Sequence, residues 1–97
     1  MFDVVGVGDL DVDIYIELDK IPGHDEKILS NKHHYHIGGM VANSIVALSR
    51  LGKKCILHAP VGDDYYGKLA IAGIESNFVN TSGVVMKPKG TTYFCLV

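Results

Sequence analysis

The run from Gly38 to Gly67, GGMVANSIVALSRLGKKCILHAPVGDDYYG, narrows the possible folds of this chain more than any other stretch. Val41, Ala42, Ile45, Val46 and Leu48 recur at helical spacing and give one helix an inward face, and Gly52 supplies its left-handed stop. The apolar strand that follows is bounded by turn residues, and a second helix is predicted from Asp64 to Ser76. Asp64 is placed as its N-cap, accepting from the backbone near Gly67. At the start of the run, Gly38 and Gly39 allow backbone angles closed to other residues and let a ligand approach closely. The first N–H groups of the helix have no intrahelical partner, an end that suits a hydroxyl-rich or anionic ligand. Asn43 lies in the first turn, where its amide either faces that ligand or ties down a neighbouring loop.

The stretch DLDVDIYIELD alternates with period two. Leu10, Val12, Ile14, Ile16 and Leu18 fall on one face, and Asp9, Asp11, Asp13, Tyr15, Glu17 and Asp19 on the other. This predicts a half-buried strand with an acidic face. FDVVGVG before it reads as a buried strand running into a Gly-rich turn. The G-x-G of Gly6 and Gly8 is not a dinucleotide fingerprint, because it leads into a carboxylate-bearing strand rather than a helix that could hold pyrophosphate. Nor is the Asp-x-Asp-x-Asp run an EF-hand loop, since Ile14 and Lys20 stand where Gly and Glu are required. A metal-bridging pair of the kind a nucleotide-sugar transferase uses is a further reading, although such short acidic motifs recur by chance. The carboxylates suit a neutral polyol, whose adjacent hydroxyls each oxygen pair can accept from. A merely solvated acidic face remains open on pattern alone.

At 97 residues the chain supports one domain at most and buries only about 60–68 % of its unfolded surface. Its 47 % hydrophobic content is that of a globular core. A net charge of -2 without a basic stripe argues against nucleic acid, and no apolar run has the length of a membrane span. Asp3 and the lack of a positive leader argue against a signal peptide. Cys55 and Cys95 have no C-x-x-C spacing and read as free, buried thiols, so a cytoplasmic location is expected. The expected order is strand 2–8, strand 11–18, loop 19–26, strand 27–37, helix 41–51, strand 54–61, helix 64–76, a turn around Asn80–Gly83, strand 84–87, a turn at Pro88–Gly90 and strand 91–97. Within KHHYH, His34 and His36 share one strand face while His33 and Tyr35 share the other. A zinc site there would need convergent ligands and a fourth partner, so a partly exposed strand is the simpler reading.

Gly38, Gly39, Asn43, Gly52, and then Gly62, Asp64 and Gly67, reproduce the order Gly-Gly, spacer, Asn, Gly, and Gly-x-Asp-x-x-Gly. The whole chain resembles the N-terminal portion of the ribokinase-like (PfkB) carbohydrate kinases. Val41 and Ile45 depart from it, standing where smaller residues are usual. The resemblance implies an α/β fold: the N-terminal part of an αβα doubly wound body carrying a small β-sheet lid, incomplete as a 97-residue chain. Residues 11–18, 27–37 and 91–97 would be lid strands, and 2–8, 41–51, 54–61 and 64–76 body elements. It also implies that Asp11, Asp13, Gly38, Gly39, Met40 and Asn43 line the sugar side of the site, with Asp11, Asp13, Gly39 and Asn43 holding substrate hydroxyls. Met40 stands where ribokinase itself carries Lys, so no particular sugar is implied.

The function expected from the resemblance is that of the sugar-binding part of an ATP-dependent carbohydrate or nucleoside kinase. ATP, Mg2+ and the catalytic base would be held by a C-terminal half that this chain does not contain. GxxxxGK[ST] does not occur, and the chain ends at Val97 inside an apolar run, as a cut chain does. A non-catalytic sugar-binding or lid-dimerising fragment is the alternative, and a homodimer through the lid is a possible assembly.

Overall fold

Two sheets divide the strands between them in a computed structural model that describes residues 1–97. The elements in chain order are β1 (Val4–Val7), β2 (Asp11–Glu17), β3 (Lys32–Gly38), α1 (Met40–Arg50), β4 (Cys55–Gly62), α2 (Tyr65–Glu75), β5 (Val84–Lys87) and β6 (Phe94–Leu96). The body sheet has the order β1-β4-β5 and is parallel throughout, with Val4 opposite Cys55 and Ala59 opposite Val84. The lid sheet has the order β3-β2-β6, antiparallel between β2 and β3 and parallel between β2 and β6. The radius of gyration is 15.5 Å, against about 13 Å for a compact domain of similar length, because the lid projects from the body.

One core joins the parts. Cys55, Leu57, Ala59 and Val61 alternate onto one face of β4 and pack with Ala42 and Ile45 of α1, Ala70 and Ile74 of α2, and Leu10, Val12 and Ile14 of the lid. Both β-α-β crossovers step the same way across the sheet, and right-handed connection then puts α1 and α2 on the same side. Gly6 and Gly8 serve this packing: an added Cβ would meet Ile45 Cγ1 and Val41 Cγ2, each at 2.5 Å. Helix α1 ends as expected, with Gly52 at φ 94° and the Lys53 N–H donating to the Leu48 carbonyl at 3.1 Å.

Several expectations need correction. β1 is not a buried strand, since Val5 and Val7 are 58 % and 73 % exposed on the side away from both helices. The third strand begins at Lys32, not Lys27. The Ser30 hydroxyl donates to the Glu17 carbonyl at 2.6 Å and accepts from the Lys32 N–H, closing the turn just before the strand. The last strand spans only Phe94–Leu96, with Thr91–Tyr93 leading into it. Cys95 is exposed, because its position in β6 puts it beside Asp13 on the polar lid face rather than beside Val12 and Ile14; Cys55 is buried as expected. Ile16 and Leu18 share the apolar face of β2 but lie beyond the reach of α2 and are exposed.

Candidate substrate site at the lid–body junction

The carboxyl end of β1 passes directly into β2, so the first lid strand starts where ligands of parallel α/β sheets bind, at the carboxyl ends of the strands. The largest cleft in the molecule, lined by residues that include Phe2, Lys54, Cys55 and Phe78, opens at the opposite end of the sheet.

Around this junction the structure brings together the residues expected from the sequence. Asp11 lies opposite Gly38 in the lid register, and Asp13 covers Gly38 so closely that an added Cβ would lie 2.7 Å from its Oδ1. Gly39 has φ 102°, and a side chain there would collide with the Asp9 carbonyl oxygen, so this position needs glycine on two counts. Met40, the first helical residue, is 88 % exposed. Asn43 is exposed one turn into α1. Its backbone N–H donates to Gly39 at 2.9 Å, and its amide has no partner within the chain, so it does not tie down a loop.

The two helix starts differ sharply. No side chain caps α1 and no acidic residue stands in its first turn, which leaves its leading N–H groups open. At α2 the Asp64 side chain takes that place. Its Oδ1 accepts from the Gly67 N–H at 2.8 Å and from the Thr92 hydroxyl at 2.7 Å, and its Oδ2 from the Thr92 N–H at 2.9 Å. The Thr92 hydroxyl oxygen in turn accepts from the Gly62 N–H at 2.9 Å. This knot joins the end of β4, the start of α2 and the segment entering β6. Thr92 is its buried centre, at 2 % exposure, and nothing in the sequence singled it out. The hydrogen bonds from Thr92 hold the Asp64 carboxyl below its usual range.

The open site therefore offers donors from the body side, at the start of α1 and on Asn43, and acceptors from the lid side, on Asp11 and Asp13. Partial burial, then the neighbouring Asp9 and Asp13 charges, push the Asp11 carboxyl above the usual range. A carboxylate pair beside a helix N-terminus offsets its attraction for anions and leaves a surface suited to neutral hydroxyls. No group of three or more His, Cys, Asp or Glu side chains is placed to hold a metal ion, so neither the acidic run nor the histidine run forms a metal cluster.

The pfkB family carbohydrate kinase model matches residues 1–97. This chain belongs to the pfkB family of carbohydrate kinases. It is 32 % identical over 81 residues to the ribokinase of Bacillus subtilis (strain 168), covering 84 % of this chain and 28 % of that protein. The ribokinase of Arabidopsis thaliana complexed with ribose and ATP matches at TM-score 0.84 and 25 % identity, over 96 % of this chain and 30 % of that one. The ribokinase of Cryptococcus neoformans var. grubii in complex with ADP matches at TM-score 0.76 and 26 % identity, over 95 % and 29 %. The chain thus spans under a third of the length of the pfkB relatives it matches. Its architecture is that of a partial ribokinase-type fold: parallel sheet, helices and projecting lid.

Proposed function

We propose that this chain is the sugar-side part of an ATP-dependent kinase that phosphorylates a hydroxyl of a carbohydrate or nucleoside. The observation that carries the reading is the placement of Asp11 and Asp13 beside Gly38, immediately before the uncapped start of α1. In this reading the two carboxylates accept from adjacent substrate hydroxyls, Gly39 lets the substrate approach the backbone, and the Asn43 amide and the α1 N–H groups donate to substrate oxygens. Met40 borders this site without a polar group to offer.

The residues present do not form a site for ATP or its Mg2+. The start of α2 is occupied by Asp64, and the start of α1 is flanked by carboxylates. Nucleotide, metal and general base would come from the portion of the kinase corresponding to the rest of the relatives' length. A cytoplasmic location is part of the proposal, as is a homodimer formed through the exposed Ile16 and Leu96 end of the lid.

A coupled ADP-release assay across hexoses, pentoses and nucleosides tests this. The full-length protein is expected to turn over at least one of them, whereas the 97-residue chain alone gives no rate above the blank. Turnover by the isolated chain would refute the division of labour, and a full-length protein inert toward all of them would refute the kinase reading. A sugar-binding fragment without chemistry would bind a sugar yet leave ATP untouched.

A further inference from the structure

The polar face of the lid continues past the carboxylates. Strand pairing sets His36 opposite Asp13 and His34 opposite Tyr15, all on the face that carries Asp11. The Tyr15 and His34 rings stack at 5.3 Å between centroids with planes 3° apart. His36 stands edge-on to both, 5.0 Å from each. Both imidazoles are exposed and Tyr15 is partly exposed, so the cluster borders the open face instead of filling the core. Cross-strand packing accounts for the rings touching each other, but not for three rings gathered on the solvent side beside a carboxylate pair.

We infer that Tyr15, His34 and His36 form a stacking subsite for a planar heterocycle attached to the sugar, so that this site takes a nucleoside in preference to a free monosaccharide. The inference rests on the proposal that Asp11 and Asp13 hold the sugar. Successive same-face residues of a strand are about 7 Å apart, so Tyr15 lies one such step beyond Asp13. That step matches the span from the hydroxyls of a pentose to the base on its anomeric carbon. Charge excludes the other common anomeric substituent: Asp11, Asp13 and Glu17 share the strip, with Lys32 as its one fixed cation, 4.0 Å from Glu17. Such a strip repels a sugar phosphate and accommodates a neutral or weakly basic ring, while aromatic stacking on a base is worth roughly 1–3 kcal/mol.

Calorimetric titration of the full-length protein with adenosine, uridine, ribose and ribose 1-phosphate is the test. At least one nucleoside should bind about tenfold or more tighter than ribose, and ribose 1-phosphate should be the weakest of the four. Tyr15→Ala should lower the nucleoside-to-ribose affinity ratio about tenfold, and Tyr15→Phe, which keeps the ring, should restore it. Ribose binding as tightly as both nucleosides, or a ratio unmoved by Tyr15→Ala in a variant with native circular dichroism, would overturn the subsite. ADP release with ribose but no nucleoside preference would do the same while leaving the kinase reading standing. Nucleoside preference without ADP release would support the subsite and count against the kinase.

Discussion

In the body sheet β4 lies between two parallel partners, and α1 and α2 cover the face formed by Cys55, Leu57, Ala59 and Val61. In the lid sheet β2 lies between β3 and β6, and only the half of its apolar face nearest α2 is covered. There Val12 and Ile14 are buried and Ile37 reaches Gly73, whereas Ile16, Leu18 and Leu96 at the far end are exposed. The body therefore supplies rigidity and the donors at the start of α1, while the lid supplies the acceptors. In the proposed function, substrate binding depends on how the two are held together. Two junctions do that: the Gly38–Gly39 corner and the Asp64–Thr92 knot.

The corner should give the largest effect. Gly39→Ala adds left-handed strain and a clash with the Asp9 carbonyl, together roughly 2–5 kcal/mol of stability. Gly52→Ala is the control, because its φ is also positive but a Cβ there meets nothing within 4 Å, and about 1–2 kcal/mol is expected. Denaturant unfolding of the two variants would show whether the junction is as tight as the geometry implies. Equal losses would mean that it is not.

On the lid itself, Asp13→Ala should impair sugar use by the full-length protein far more than Glu17→Ala. The expected cost is about 1.5–3 kcal/mol for each charged hydrogen bond lost. Matching changes in KM and kcat/KM for the two variants would reduce the acidic face to a solvated surface.

At the knot, Thr92→Val removes the hydroxyl that serves Asp64 and Gly62 and should cost about 1–3 kcal/mol. The folded pKa of Asp64 lies below its unfolded value. Its contribution is therefore present above the ordinary carboxylate pKa and is lost as pH falls through the depressed folded one. In Thr92→Val that depression shrinks, so the part of the acid loss that Asp64 carries should be smaller and be complete at a higher pH. Melting temperatures between pH 2 and pH 6 read this directly, and acid limbs of identical shape would separate Thr92 from Asp64.

The smallest effect has the opposite sign. The Asp11 carboxyl is raised, so its ionised form at neutral pH works against the fold, and Asp11→Asn should raise Tm slightly at pH 7 while weakening sugar binding. A fall in Tm there would mean that Asp11 stabilises the lid rather than being kept for the substrate.

Sequence alone determined what depends on local periodicity and on single residues. The helical spacing of Val41 to Leu48 fixed α1, the alternation from Leu10 to Ile14 fixed the buried edge of β2, and Asp64 was legible as the cap of α2. Gly39 and Gly52 take positive backbone angles as expected of glycine, whereas Gly38, read together with Gly39, ends β3 without one. The period-two pattern put Asp11 and Asp13 on one strand face, and strand pairing then set Asp11 opposite Gly38 with the Asp13 carboxyl over it. Only the tertiary structure decided which apolar faces are covered. Val5 and Val7 read like core residues, yet both helices lie on the other side of their sheet, and Cys95 reads like a buried thiol, yet its register sets it on the polar face. The same holds for Thr92 as the centre of the knot and for the meeting of Tyr15 with His34 and His36. Those contacts join residues far apart in the chain, and side-chain period records which face of a strand a residue takes but not which strand lies beside it.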